Sequence, residues 1–389
     1  MFRVSFCDGC LVQINCSENK TYKIVISDND KTILTKLTSD KITKLDSYSV
    51  NYSFVNYKVE IYLEDVLVFT EKLNLKGKKV KINFDSNALG DNIGWISQVD
   101  KFQKLHDCIL YVSCPHKSLF ENVYPNLIFT DAPSDTNKDD TIIPGLKNIS
   151  CKNFFCFYEF CNCYYATYDI GFYATQPNLI NVTLCKVVSD MLGMDYEEIV
   201  PKIFIENKNR VHKKPYVCIA SQSTAQYKYW NNPNGWNEVI KYLKSIGYDV
   251  ICIDKEEKFG NDGYINKCPD GVINKTGNLP LQQRITDILH CEFFIGLSSG
   301  LSWLAWALGK PVVMISGFSH PSSEFKNPYR VFNPDVCNSC WNDVTITGHC
   351  SSGWSFCPRN KNFECSSEIT PEMVIEKIDK CIEDNNFSR

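Results

Sequence analysis

Along the first 75 residues apolar and polar positions alternate, as in "LVQINC", "TYKIVISD", "VNYSFVNYKVEIYLED" and "VLVFTEKL". Successive side chains of a strand point to opposite faces, so this pattern predicts half-buried strands joined by turns. Asp8-Gly9, inside "CDGC" and between two such runs, favours a hairpin. From about residue 78 the period changes. "KKVKINFD" predicts a strand, a glycine turn follows, and "IGWISQVDKFQKLH" predicts a helix. "CILYVSCP" and "NLIFTD" predict further strands, and "LINVTLCKVVSDMLGMDYEE" a helix ending near Gly193. Strand and helix in alternation imply a parallel sheet with helices on its faces.

A second series of the same kind starts near residue 214. "PYVCIAS", "YDVICID", "CEFFIGL" and "KPVVMIS" predict strands. "NGWNEVIKYLKSIG", stopped by Gly247, "LPLQQRITDILH" and "SGLSWLAWALG" predict the helices between them. "PEMVIEKIDKCIED" predicts a last helix with Pro371 in its first turn. The expected class is α/β, with two Rossmann-like halves in tandem and ligands at the carboxyl ends of strands. The expected division is a β-rich module over 1–76, Rossmann-like domains over 77–205 and 206–330, a cysteine-bearing loop over 331–370 and a helix over 371–389.

Composition narrows the class of partner. A net charge of −4 on 389 residues, with lysine and arginine scattered, leaves no basic field to attract nucleic acid. No apolar run reaches the roughly 18 residues of a membrane-spanning helix. "MFRVSFCDGCLVQINCSENK" lacks the long apolar stretch of a signal peptide. A cytoplasmic protein is therefore expected, and most of its 20 cysteines are expected as reduced thiols.

Four stretches carry candidate chemistry. In "NALGDNIGW" Asp91 stands where a strand turns into a helix. A carboxylate there can take a hydroxyl proton as general base, or can merely cap the helix. In "SQSTAQYKYWNNPNGW" Ser221, Ser223, Thr224 and Lys228 follow a strand and suit a phosphate; the alternative is an ordinary polar loop. In "GLSSGLSWLAWALG", Gly296, Leu297, Ser298, Ser299, Gly300 and Leu301 turn a strand into a helix whose first amides can hold an anion. Ser298 or Ser299 also suits the helix cap. Asp254 and Glu256 end another strand, where an acidic residue commonly binds a ribose hydroxyl. The one Asp-x-Asp triplet weighed for a divalent ion, "DND" at 28–30, falls among the N-terminal strands.

The cysteines divide into three groups. Cys7 and Cys10 flank the expected hairpin. Cys151, Cys156, Cys161 and Cys163 lie in an aromatic-rich stretch that reads as buried packing, with a metal site as the alternative. Cys337, Cys340, Cys357 and Cys365 follow C-x2-C-x16-C-x7-C, with Cys350 between them. Four thiolates at such spacing would close a tetrahedral site for zinc or iron; the alternative is loose thiols. A loop of about 40 residues with little apolar periodicity needs such a staple.

"ALGDNIGW", "STAQYKYWNNPNGW", "GLSSGLSWLAWALGKPVVMISGFS", "CNSCWND" and "FCPRN…FECS…ITPE" together resemble the bacterial autotransporter heptosyltransferases, relatives of the lipopolysaccharide heptosyltransferases. The resemblance runs from roughly residue 78 to 380. It implies a GT-B glycosyltransferase that moves heptose from ADP-heptose to serine hydroxyls of an autotransporter adhesin passenger. It implies Asp91 as base, Lys228 and the turn from Gly296 to Leu301 at the donor phosphates, and no catalytic divalent metal. It further implies a structural iron on Cys337, Cys340, Cys357 and Cys365, with zinc as the alternative, and assembly into a large ring. Transfer of another nucleotide-activated sugar, a glycan acceptor, and a donor-binding scaffold without turnover are the other readings.

Overall fold

The computed structural model describes residues 2–7, 9–14, 20–40, 42–45, 54–131, 164–171, 181–261, 264–347 and 356–388. The chain divides into two compact units. The first takes Met1–Ser86, Gln98–Gly171 and Val188–Tyr196; the second takes Asn87–Ser97, Phe172–Val187 and Glu197–Arg389.

In the first unit β1 (Phe2–Cys7) and β2 (Cys10–Ile14) form the expected hairpin, with Ser5 opposite Leu11 and Gly9 at φ 103°. Asp8 lies outside the described residues. β3 (Tyr22–Asp28), β4 (Lys31–Thr38), β6 (Tyr57–Leu63) and β7 (Val66–Lys72) make a four-stranded antiparallel sheet in the order β4-β3-β6-β7. Tyr22, Ile24 and Ile26 of β3, and Tyr57, Val59 and Ile61 of β6, are buried at alternate positions. This is the one-sided pattern the alternation predicts. The "DND" triplet is the β3–β4 turn, with Asn29 left-handed at φ 51°.

β5 (Ile42–Leu45), β8 (Lys79–Phe84), α1 (Leu89–His106), β9 (Ile109–Ser113), β10 (Leu127–Thr130) and β11 (Ala166–Ile170) complete the described regular structure up to residue 171. The larger sheet runs β10-β9-β8-β11-β1-β2-β5. Its pairings are parallel from β10 to β1 and antiparallel beyond. β1 pairs with β11, Phe6 opposite Ala166, so the first strand of the N-terminal stretch extends the parallel sheet across the boundary drawn at residue 76. Three consecutive residues of β1, Val4, Ser5 and Phe6, are buried, as a strand covered on both faces requires. The cysteines at 151, 156, 161 and 163 lie outside the described residues.

α2 (Leu184–Met191) ends before Gly193, which is left-handed at φ 66°. The sheet of the second unit uses β12 (Tyr216–Ala220), β13 (Asp249–Cys252), β16 (Ile273–Asn274), β17 (Phe294–Leu297), β18 (Val312–Ile315) and β19 (Arg330–Val331). Its order is β16-β13-β12-β17-β18-β19, parallel throughout. Every residue of β12, β17 and β18 is buried, the continuous apolar run of a two-sided parallel sheet. α3 (Gly235–Ser245), α4 (Leu281–Leu289) and α5 (Gly300–Ala307) are the crossover helices.

Two short helices, α6 (Val344–Thr347) and α7 (Glu364–Ser367), precede α8 (Pro371–Asp384). Trp236, Val239, Ile240 and Leu243 of α3 share one core with Val374, Ile378 and Ile382 of α8 and with Val217, Ile219, Ile295 and Val313 of the sheet. α8 has the expected bounds: Thr370 accepts from the Met373 amide at 3.4 Å and Pro371 follows the cap. The hairpin β14 (Lys258–Asn261) and β15 (Tyr264–Lys267) is an addition that the apolar pattern did not announce. No described helix is long and apolar enough to cross a membrane.

Candidate active site

Asp91 is the third residue of α1, inside its first turn and past the cap position. The turn starts on Ala88, whose carbonyl accepts from the Asn92 amide at 3.2 Å and from the Asn92 side chain at 2.9 Å. The segment Asn87–Ser97 belongs to the second unit, and there it meets the start of α5. A Cβ on Gly300 would lie 2.9 Å from the Leu89 Cβ and 3.3 Å from the Gly90 nitrogen. One on Gly90 would lie 2.9 Å from an indole carbon of Trp303. Close approach of backbone, not a left-handed turn, is what calls for glycine at both positions. The amino ends of α1 and α5, each with partial positive charge, are thereby held side by side.

Among the described residues no side-chain capping bond is made at the start of α5. Ser299 occupies the cap position with extended backbone (φ −147°), and its hydroxyl makes no capping bond. The Ser298 hydroxyl points the other way, donating to Glu324 Oε1 at 2.7 Å. The Leu297 carbonyl accepts from the Ser299 amide at 2.7 Å and from the Ser302 hydroxyl at 2.5 Å. Gly296 has Phe294 and Ser302 packed where a side chain would start. Ser299, Gly300 and Leu301 remain half-buried.

Lys228 closes the one-turn helix Gln226–Lys228 after β12. The residue is partly exposed, with its ammonium surrounded by protein. Burial pushes this ammonium below the ordinary lysine range, and Asp91 and Glu324 pull it back up. Those two causes put Asp91 and Glu324 each within electrostatic reach of Lys228 in the second unit.

The loop leading to Lys228 is tied down at its start. The Ser221 amide and hydroxyl both donate to Asp254 Oδ2 at 2.9 Å, and the Gln222 amide donates to Oδ1 at 3.1 Å. Asp254 is 1% exposed, so both its oxygens face the protein instead of the open position expected of a ribose-binding carboxylate. Burial raises its carboxyl, and the Ser221 and Gln222 donors lower it. Glu256, by contrast, is exposed, as is Thr224, and the Ser223 hydroxyl accepts from the Ala225 amide at 3.4 Å.

Glu324 is the residue that sequence reading missed. It is 3% exposed and accepts from Ser298, from the Ser319 hydroxyl at 2.6 Å and from Arg330 Nε at 3.3 Å. Nothing in "HPSSEF" marks it, because its partners lie 26 and 5 residues before it and 6 after. Glu324 and Arg330 also line a cavity of about 410 Å³ with Thr183, Lys186, Phe325 and Asn327.

The four cysteines of the finger gather behind the lysine loop. Cys340 and Cys365 are buried, Cys337 and Cys357 partly exposed. The Ser339 amide donates to the Gly317 carbonyl at 2.8 Å and the Trp341 amide to the Phe318 carbonyl at 3.1 Å. Tyr227, next to Lys228, packs on Phe318 with ring centroids 3.7 Å apart, in one apolar cluster with Cys340 and Phe363. The Asn231 side chain donates to the Ser366 hydroxyl at 2.9 Å and the Trp230 indole to the Ile369 carbonyl at 2.8 Å. Burial pushes the Cys340 and Cys365 thiols up to about 12, and the neighbouring cysteine sulfurs add to both shifts. Among the described residues no group of three or more cysteine, histidine or carboxylate side chains stands at metal-ligand spacing. Cys350 lies outside the described residues.

One glycine reports on this packing. A Cβ on Gly317 would fall 1.8 Å from the Cys365 carbonyl oxygen, a backbone atom that cannot step aside alone. Gly317→Ala is expected to lower stability by about 3 kcal/mol. Chemical denaturation of the purified protein checks this; an unchanged midpoint would show that the finger rests elsewhere.

The comparisons agree with this architecture. The family model of "Glycosyltransferase family 9 (heptosyltransferase)" matches residues 181–350. The chain is 40% identical over 336 residues to the autotransporter heptosyltransferase BAHTCr of Citrobacter rodentium, covering 82% of this chain and 76% of that protein. It is 38% identical over 392 aligned positions to the autotransporter heptosyltransferase TibC of Escherichia coli O78:H11, covering 96% and 88%. A crystal structure of dodecameric, iron-containing TibC in complex with ADP-D-beta-D-heptose matches at TM-score 0.84 and 32% identity, over 99% of this chain and 96% of that one. BimC of Burkholderia thailandensis, named an inactive autotransporter heptosyltransferase, is 31% identical over 97% of this chain and 85% of its own. By its similarity across most of its length, this chain belongs to the autotransporter heptosyltransferase family.

Proposed function

We propose that this chain is an inverting GT-B glycosyltransferase that moves heptose from ADP-heptose to serine hydroxyls of an autotransporter adhesin passenger. The observation that carries the reading is the meeting, within one compact unit, of a first-turn carboxylate, an enclosed lysine and an uncapped helix amino end. Asp91 removes the proton from the acceptor hydroxyl as its oxygen attacks the anomeric carbon. The bond from that carbon to the ADP oxygen breaks, and the electron pair leaves with ADP. Lys228 and the amides at the start of α5 neutralise the departing pyrophosphate, with no divalent ion needed for that role. Ser223, Thr224 and the 296–301 turn complete the phosphate contacts, and Glu256 is the acidic side chain open to a ribose.

The same reading gives the finger a structural iron, with zinc the alternative. What supports this reading is that the sulfurs of Cys337 and Cys357 act electrostatically on both Cys340 and Cys365, that the Lys361 amide donates to Cys357 Sγ at 3.2 Å, and that an Arg359 nitrogen lies 3.8 Å from Cys337 Sγ. A bound ion supplies a cross-link among Cys337, Cys340, Cys357 and Cys365 and no reaction step. Cys340→Ser is expected to reduce bound metal from one ion per chain to about none, measured by elemental analysis of purified protein. Full metal content in that variant would remove Cys340 from the ligand set. The free thiols of the described cysteines suit a cytoplasmic enzyme, and a ring-like homo-oligomer follows the dodecameric relative.

The deciding experiment is co-expression of the chain with neighbouring adhesins in cells that make ADP-heptose, read by intact mass. A shift of one heptose per modified serine is expected. Donor binding without any mass shift would favour the non-catalytic reading that an inactive relative represents.

A further inference from the structure

Glu324 is a carboxylate 3% exposed, and taking a charge out of water costs several kcal/mol unless partners compensate. Here they do so from three directions. Ser298, in the turn between β17 and α5, and Ser319, after β18, both donate to Oε1, at 2.7 and 2.6 Å. Arg330 donates to Oε2 from the start of β19 at 3.3 Å. That guanidinium is fixed in turn by the carbonyls of Ser316, Ser319 and Val331. A buried ion pair is weak evidence for stability, since apolar residues of the same volume often do as well. What this one does is geometric: it anchors Ser298 from behind, directly before the uncapped amides of α5, and it faces the same ammonium as Asp91.

We propose that Glu324 is a positioning residue of this site, fixing the β17–α5 turn through Ser298 and setting a second negative charge beside Lys228. It touches neither sugar nor acceptor; it acts through Ser298 and Lys228. The donor-binding part rests on the function proposed above, whereas the effect on Lys228 does not. Among the described residues the charged groups acting on that ammonium are Asp91, from α1, and Glu324. Removing one of them makes the proton easier to lose.

Two measurements on Glu324→Gln test this. The first is pH-dependent acetylation of Lys228 by acetic anhydride, read by peptide mass spectrometry. The midpoint is expected about one pH unit lower in the variant; an unchanged midpoint overturns the proposal. The second is calorimetric binding of ADP-heptose, with the dissociation constant expected to rise about tenfold; a value within twofold of wild type also overturns it. Wild-type protein that binds no ADP-heptose would sink the functional reading, and the acetylation arm would still decide the role of Glu324. Ser298→Ala keeps the ion pair. It is expected to weaken donor binding severalfold while leaving the Lys228 midpoint in place, which a general loss of folding would not do.

Discussion

Asp91→Asn is expected to lower the rate of heptose transfer by roughly 10²–10⁴-fold, the usual contribution of a positioned general base. The substitution keeps size and shape in the first turn of α1 and removes the ability to take a proton, together with one of the negative charges acting on Lys228. Gly90 is unchanged, so the close fit of α1 against Trp303 and Gly300 is kept. At a pH where Lys228 stays protonated, ADP-heptose should therefore bind with nearly its wild-type affinity, and the loss should fall on kcat. Transfer is followed by the mass of the acceptor and binding by calorimetry. Transfer within tenfold of wild type would take the base role away from Asp91. Loss of donor binding in step with transfer would make Asp91 a binding residue.

Lys228→Met is expected to act on the other side of the reaction. It removes the cation facing the departing pyrophosphate, and loss of one such electrostatic contact typically lowers kcat by about 10²–10³-fold. Donor affinity should fall as well, because the charge acts on the bound diphosphate before the bond breaks. The wild-type protein adds a pH signature. Burial lowers the Lys228 pKa, so its proton is lost at a lower pH than from a lysine in water. Donor binding should be strongest below that depressed pKa and fall as pH rises through it. Lys228→Met should bind weakly at all pH values and lack this alkaline limb. A limb that persists unchanged in the variant would belong to another group.

The parallel sheets were legible because their strands are buried on both faces and read as short apolar runs between helix-period segments. β12 and β18 follow this logic within a residue or two, β17 starts three residues later than "CEFFIGL", and the helix α8 has its expected bounds. The pairing of β1 with β11 was not legible, since it joins positions about 160 residues apart and leaves no trace in local pattern. Nor was the hairpin of β14 and β15, whose "KFGN" and "YINK" carry weak alternation. For Asp91 the sequence left base and cap both open, because helix starts are uncertain by a residue or two. In the fold it is the third residue of α1, past the cap position. Asp254 shows the opposite limit. Its position at the end of a strand suggested a ribose contact, but the Ser221 and Gln222 donors that surround it come from a loop more than 30 residues away.

The segment Asn87–Ser97 belongs to a unit otherwise drawn from Phe172 onward. Linear inheritance and spatial function therefore do not coincide in this chain. A recombination event that exchanged everything after residue 172 as one cassette would import Lys228, the 296–301 turn and the four finger cysteines. It would leave the carboxylate behind with the old front half, and the incoming Trp303 would have to fit whatever backbone stood at Gly90. Donor specificity in such a protein cannot change hands by a single crossover without rebuilding the contact between these two segments.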